Sequence, residues 1–318
     1  MHLELVDPCS RYAERTWRRL EAEVKPAYFL TWAWIENWLT CLPTEEIPRL
    51  ALVFEQGIPV SAFFLGRRRV VRHSVLPSRA LFLNTTGDDR WDELCIEHNQ
   101  ILGRDLSIEQ LIELLPTNWD ELFLPALRAQ AFETIDERVE DKYSIRIDRR
   151  TATHYVDLER VRASKDGYIA LLGSSTRAAI RKAQRKAGPI EIEVATTIEQ
   201  ALAIYEEMGE YHGAYWRSRG QAGAFADPWF DRFHRRLIAQ RFEHGEIQMV
   251  RVRAGGETLG CLYNLIANGN ILFYQSGLQH QEGRDLKPGY LCHVAAVEHS
   301  AAAGHSTYDF LAGDAQYK

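Results

Sequence analysis

The sequence predicts an α/β protein of two similar halves, each a mixed sheet flanked by helices. Three observations carry that prediction. The chain has 318 residues, 46% hydrophobic and 26% charged, which suits two domains of about 150 residues with buried cores. A strand–glycine–strand pattern occurs twice. RLALVFE (49–55) and IPVSAFFL (58–65) flank Gln56–Gly57, while IQMVRVR (247–253) and TLGCLYNLI (258–266) flank Gly255–Gly256. Aligning Gly57 with Gly256 matches Val60 to Leu259, Ala62 to Cys261, Phe63 to Leu262 and Phe64 to Tyr263, as an internal duplication would. Late in the chain, a strand at 270–276, a helix at 289–303 and a strand at 306–311 imply a parallel crossover. We place the domains at 1–150 and 151–318.

In the first half, residues 10–24 and 31–41 read as helices, the second an aromatic, core-facing one around Trp32, Trp34, Ile35 and Trp38. A third strand is expected near 69–76, a helix at 107–115 capped by Ser107 and stopped by Pro116, and a strand at 119–124. The second half reads as a strand at 153–158, a helix at 164–172, a basic helix at 176–187 and a strand at 190–195. A helix at 197–211, a glycine-rich loop at 213–226 and a helix at 228–244 follow.

Net charge is −6 and the pI about 6.0, so the balance argues against a protein that grips DNA. The cysteines are Cys9, Cys41, Cys95, Cys261 and Cys292, an odd number without C-x-x-C spacing. Neither a disulfide framework nor a structural metal is expected. Charged residues interrupt residues 1–25, and no run of about 18 apolar residues occurs, so a cytoplasmic chain without a membrane span is expected.

Three segments carry candidate chemistry. In LLGSSTRAAIRKAQRKAG (171–188), Ser175 is a candidate helix cap, and Arg177, Arg181 and Arg185 share one helical face. Arg177 and Arg181 near the helix start oppose its dipole, so an acidic surface or a phosphorylated ligand would compensate them; a solvated basic face accounts for them equally. In YEEMGEYHGAYWRSRGQAGAF (205–225), His212, Tyr215, Trp216 and Arg217 cluster at an expected helix end. A lone histidine among aromatics suits a structural role as well as a site. In the third segment, Arg284, Lys287, Pro288 and Gly289 precede a helix whose N-terminal N–H groups favour anions, although neither a Walker A nor a G-x-G-x-x-G sequence is present. Asp309 within a strand and Asp314 after Gly313 are candidates for proton handling; alternatively, Asp309 pairs with a basic side chain and Asp314 caps a short helix.

The Ser–Ser–Thr–Arg helix start, His212 with Trp216 and Gly220, the GAFAD loop, Tyr274–Ser276–Gly277, Pro288–Gly289 and the final DFLAGDAQYK together resemble the CelD-like and Fem-related branch of the GNAT acyltransferases. The resemblance covers residues 150–318 closely and the N-terminal half loosely. It implies two tandem GNAT-like domains, the second carrying the acyl-donor site and the first non-catalytic. It further implies N-acyl transfer from acetyl-CoA or another acyl-CoA to a small-molecule amine or amino sugar in envelope or exopolysaccharide biosynthesis. The donor arm would lie between two splayed strands, with its phosphates at the helix near Gly289. Ser276, Gly277, Leu278, Arg284, Lys287, Gly289 and Tyr290 would form the donor site. Asp314, His212 and Tyr274 would be the catalytic set, and Arg177, Arg181 and Trp216 would contact substrate or phosphate. GNAT donor loops carry Q/R-x-x-G-x-G/A, whereas RDLKPG (284–289) keeps only the basic start and final glycine. An aminoacyl-tRNA donor and a non-catalytic scaffold are therefore the alternatives. Members of this branch continue past the Tyr–Lys that ends this sequence, so a further terminal element is expected beyond it.

Overall fold

The computed structural model describes residues 1–92, 96–127, 137–280 and 286–313. It divides into two compact units, Met1–Arg150 and Thr151–Lys318. The first unit runs β1 (His2–Val6), α1 (Arg11–Val24), α2 (Trp32–Cys41), β2 (Arg49–Glu55), β3 (Ile58–Arg72) and β4 (Leu76–Leu83). It continues with α3 (Asp89–Asp92), β5 (Leu102–Gly103), α4 (Ile108–Leu114), β6 (Glu121–Phe123) and α5 (Glu137–Lys142). The second runs β7 (Thr153–Asp157), α6 (Leu158–Ala163), α7 (Ser174–Ala187), β8 (Ile190–Val194), α8 (Ile198–Arg217) and α9 (Pro228–Arg241). It ends with β9 (Ile247–Ala254), β10 (Glu257–Ala267), β11 (Asn270–Leu278), α10 (Pro288–Ala302) and β12 (Thr307–Ala312).

The two sheets repeat one topology. In the first, β1, β2, β3 and β4 pair antiparallel in sequence, and β6 joins β4 in parallel. In the second, β8, β9, β10 and β11 pair antiparallel, and β12 joins β11 in parallel. The second sheet also carries β7 on the outer side of β12. The repeat extends to single residues. Gln56 and Gly57 turn the first hairpin at φ 51° and 80°, and Gly255 and Gly256 turn the second at 59° and 80°, the two left-handed positions a tight hairpin needs. Val60 is the extra residue of a bulge in the first pair, and Leu259, its counterpart, is the extra residue in the second.

Packing follows the apolar pattern. Trp17, Trp34 and Trp38 are buried with Phe64 in the first unit, Trp17 and Trp38 lying 5.0 and 5.5 Å from its ring. The Trp17 indole N–H donates to Leu30 O at 2.9 Å, satisfying its polar atom inside the core. Ser107 and Gln110 close a reciprocal capping box on α4. In the second unit, α8 and α9 cover one sheet face, while α6, α7 and α10 cover the other through Val161, Ile180, Ala183, Leu291, Cys292 and Val297.

Several local expectations are corrected. No separate strand spans 69–76. Strand β3 runs on to Arg72, and left-handed His73 and Ser74 make the turn into β4. The helix expected at 164–172 forms earlier, because the Asp157 carboxylate caps the N–H groups of Glu159 and Arg160; only a short 3-10 turn, Tyr168–Leu171, follows. Helix α7 is capped at Gly173, so Ser175 lies inside its first turn. Helix α8 continues through Gly213 to Arg217, where Gly220 at φ 73° ends the run. The strand β1 is an addition that completes the first sheet.

Among the described residues, no helix is long and apolar enough to cross a membrane. Gly277 sets the approach of α8 to the sheet, since a Cβ there would lie 2.1 Å from Met208 O. Gly277→Ala should therefore cost about 3 kcal/mol, read as a lower urea midpoint with an unchanged slope.

Candidate functional site

The second sheet opens between its two parallel strands. β11 and β12 pair only at Asn270–Thr307, Ile271–Tyr308 and Leu272–Asp309, although β11 continues to Leu278 and β12 to Ala312. Each strand is deflected just beyond the last pair. On β11, Tyr263 pairs with Gln275 and Asn264 with Phe273, leaving Tyr274 as the extra residue of a bulge. On β12, the Asp309 carboxylate accepts the Leu311 N–H at 2.8 Å and Leu311 takes φ 57°. That local turn competes with the ladder and swings the strand away. Asp309 thus shapes β12. Beyond Leu272, one side of β11 pairs with β10 and, among the described residues, the side toward β12 has no strand on it.

Helix α10 starts beyond the carboxyl end of β11. Lys287 occupies its cap position at φ 48° without a side-chain hydrogen bond, and Pro288 is the first helical residue. Tyr290 N–H bonds Lys287 O at 3.0 Å, so Gly289 contributes the first N–H without a partner inside the helix. Gly289 is buried, and Tyr290 packs on the core margin with the Lys287 ammonium 5.9 Å from its ring. Ser276 N–H is engaged by the Gln275 side chain at 2.9 Å. Arg284 and Asp314 lie outside the described residues.

An aromatic layer fills the space between the sheet and helices α8 and α9. His212 Nε2 accepts the Trp216 indole N–H at 2.9 Å, one helical turn away. Its ring lies 4.9 Å from Phe225, which packs 5.4 Å from Phe230. Phe230 lies 4.3 Å from His234, and His234 lies 4.9 Å from Tyr274. His234 is fully buried, with Nδ1 3.4 Å from the Tyr263 hydroxyl and Nε2 3.2 Å from the Tyr274 hydroxyl. Burial pushes His212 down to about 4 and His234 down to about 3, so both rings are neutral at physiological pH.

The structure therefore joins His212, Trp216 and Tyr274 through one ring layer, and places Ser276, Gly277 and Leu278 on the diverging end of β11. Arg177 is half-buried and donates to Ala170 O at 3.3 Å, which answers locally for its position near the helix start; Arg181 is exposed on α7. Sequence reading missed His234. Its signal was present: Phe230, Phe233, His234, Leu237 and Ile238 form the i, i+3, i+4, i+7, i+8 stripe of α9 and are all buried.

The equivalent place in the first unit is closed. β4 and β6 pair through Phe82–Phe123, and β4 ends one residue later. Asn99 then ties the two strand ends together, its amide donating to Leu83 O at 3.1 Å and Pro125 O at 2.9 Å. Asn84 at φ 55° donates to Asn99 Oδ1 at 2.7 Å and accepts Phe64 N–H at 2.7 Å.

A mixed sheet whose two parallel strands part beside a helix tip defines the GNAT class of transferase folds. Residues 174–318 match the family model described as "Acetyltransferase (GNAT) domain", and the first sheet repeats the topology of the sheet this match covers. Its fold is similar to the crystal structure of FemX, with a TM-score of 0.56 at 12% identity over 99% of this chain and 90% of that one. A conserved protein of unknown function from Bacteroides thetaiotaomicron VPI-5482 gives 0.51 at 10% identity, covering 98% and 90%. A tandem GNAT protein from the clavulanic acid biosynthesis pathway gives 0.45 at 13% identity, covering 100% and 90%. No curated protein matches the sequence.

The histidines make stability depend on pH. Both folded pKa values lie below the ordinary value of 6.5, so the unfolded chain takes up protons first. The stability contributed by the neutral rings is complete above that value and falls as pH drops toward about 4 and about 3. Between about pH 7 and about pH 5, His212→Gln should lose less stability than the parent in urea titrations, because the carboxylate contributions common to both cancel.

Proposed function

We propose that the second unit transfers an acyl group from an acyl-CoA to the amine of a small molecule, and that the first unit is a non-catalytic partner domain. The observation that carries this reading is the early end of β11–β12 pairing after Leu272 and Asp309. It leaves a strand side able to hydrogen-bond an extended amide-bearing arm. The α10 tip suits the phosphates of such a donor, with the Gly289 N–H at the positive end of the helix dipole, no side chain at Gly289 to obstruct approach, and Lys287 adjacent. We assign Ser276, Gly277 and Leu278 to the path of the arm, with Ser276 and Leu278 offering backbone groups on the freed side, Ser276 once Gln275 swings aside, and Gly277 paired to Cys261 of β10 between them.

When bound, the donor supplies a thioester carbonyl that the amine nitrogen attacks, forming a C–N bond as the C–S bond breaks. We assign the proton for the departing sulfur to Tyr274, which stands at the bulge with its hydroxyl 3.2 Å from His234 Nε2. His212, kept neutral by burial with its Nε2 accepting the Trp216 indole N–H, is assigned to the site as the residue that positions Trp216. We assign the base role to Asp314, and phosphate or substrate contacts to Arg177, Arg181, Arg284, Tyr290 and Trp216. An amino sugar of envelope or exopolysaccharide assembly is the acceptor class that the sequence resemblance favours.

The test is ligand-dependent melting of the full chain. Acetyl-CoA or desulfo-CoA at a hundred times its dissociation constant should add about 2.7 kcal/mol of stability. Absence of a shift with short and long acyl-CoA species alike would sink this reading. Tyr274→Phe should keep the shift while slowing thiol release roughly a hundredfold; unchanged turnover would remove Tyr274 from the catalytic set.

A further inference from the structure

The first unit carries a projection that its repeat lacks. β2 stops pairing with β3 at Arg49–Leu65, and β6 pairs with β4 only from Ala80–Glu121. Past those limits, Arg69–Arg72 pair with Leu76–Arg79 as a two-stranded ribbon beyond the sheet, with the Asp120 N–H donating to Arg79 O at its base. In the second unit the corresponding hairpin closes at once, Ala267 facing Asn270 across Asn268–Gly269. With Gly57 aligned on Gly256, Ala267 corresponds to Arg68, so the ribbon past Arg68 is extra chain.

A bare two-stranded ribbon is marginal in water, and arginine–carboxylate pairs brace this one at its root. Arg72 holds Glu121 with 3.0 and 2.8 Å contacts, Arg79 holds Asp120 at 2.9 and 2.7 Å, and Arg68 holds Glu46 and Asp88. Arg67 and Arg69 are exposed and make no ion pair among the described residues. The tip is aliphatic: Val71 is 64%, Val75 74% and Leu76 57% exposed. No acidic residue occurs from 66 to 79.

From this arrangement we propose that the β3–β4 ribbon is a docking finger for an anionic lipid surface, its aliphatic end entering the interface and Arg69 meeting the headgroups. The order of chemistry along the ribbon argues for lipid. The exposed branched side chains of Val71, Val75 and Leu76 flank the His73–Ser74 turn, an apolar end that a reader of base edges, which presents hydrogen-bonding groups, does not need. Arg69 sits behind them, at headgroup depth. The inference is independent of the acyl-transfer reading.

The experiment is co-sedimentation of the full chain with phosphatidylcholine vesicles, with and without phosphatidylglycerol. Binding should require the anionic lipid and weaken with salt. Val75→Asp with Leu76→Asp should reduce the partition coefficient by roughly tenfold or more, and Arg69→Gln by several-fold, with melting temperatures unchanged because these side chains are exposed. Failure of the parent to sediment with anionic vesicles overturns the proposal, as does a tip variant that sediments like the parent. Oligonucleotide binding that depends on Arg69, without vesicle binding, overturns it in favour of a nucleic-acid surface.

Discussion

The second unit depends on three pairs of residues that hold β11 to β12 and on what stops a fourth from forming. A parallel ladder between two apolar strands would propagate unless each strand were bent. Here both are bent within two or three residues of Leu272–Asp309: β11 by the extra residue Tyr274, and β12 by the Asp309 carboxylate, which captures the Leu311 N–H and draws a buried leucine to φ 57°. A left-handed leucine is a strained choice. Burial of Phe310 and Leu311 in the core helps hold it, so the strands are parted by packing as well as by one hydrogen bond.

The first unit shows the same ladder handled differently. Its hairpin carries the same left-handed turn and the same bulge, at Val60 where the second unit has Leu259. Yet β4 stops one residue after its last parallel pair, and Asn84 and Asn99 occupy the parting point. Asn99 accepts from one asparagine and donates to carbonyls following both strands, which removes the unpaired backbone that an open gap would leave. One topology thus gives both a closed and an opened sheet, and the difference lies in whether a polar side chain stitches the strand ends.

Much of this was legible in the sequence. Gly57 and Gly256 marked both hairpins, and the Val60–Leu259 alignment matched residues that turn out to share a bulge. Strand β11 and helix α10 followed from ILFYQSG and the Pro–Gly helix start. Other features were hidden for physical reasons. In sequence, the helix through Gly213 reads as a loop because glycine is a weak helix former. There the Arg217 side chain lies where a Cβ would go, and the Trp216–His212 hydrogen bond ties successive turns. His234 escaped notice because a histidine on an apolar stripe looks like an ordinary core residue until the two tyrosine hydroxyls beside its ring nitrogens are seen. The turn at Asp309 depends on a rotamer, which no spacing rule encodes.

An opened sheet carries an energetic consequence that bears on binding. Peptide groups on the freed side of β11 cannot stay dry and unpaired, because each would forfeit about 1–3 kcal/mol of solvation. They must therefore be wetted or paired with another chain-like molecule. Water satisfies them at modest entropic cost, so an incoming arm gains little from each hydrogen bond it makes in exchange. In the acyl-donor complex proposed above, net affinity would then come from the ends of the arm: from charge at the α10 tip, where Gly289 and Lys287 stand, and from apolar contact beside Leu278 and Tyr290 on the core margin. The strand side would fix the register of the ligand, and the helix tip most of its hold.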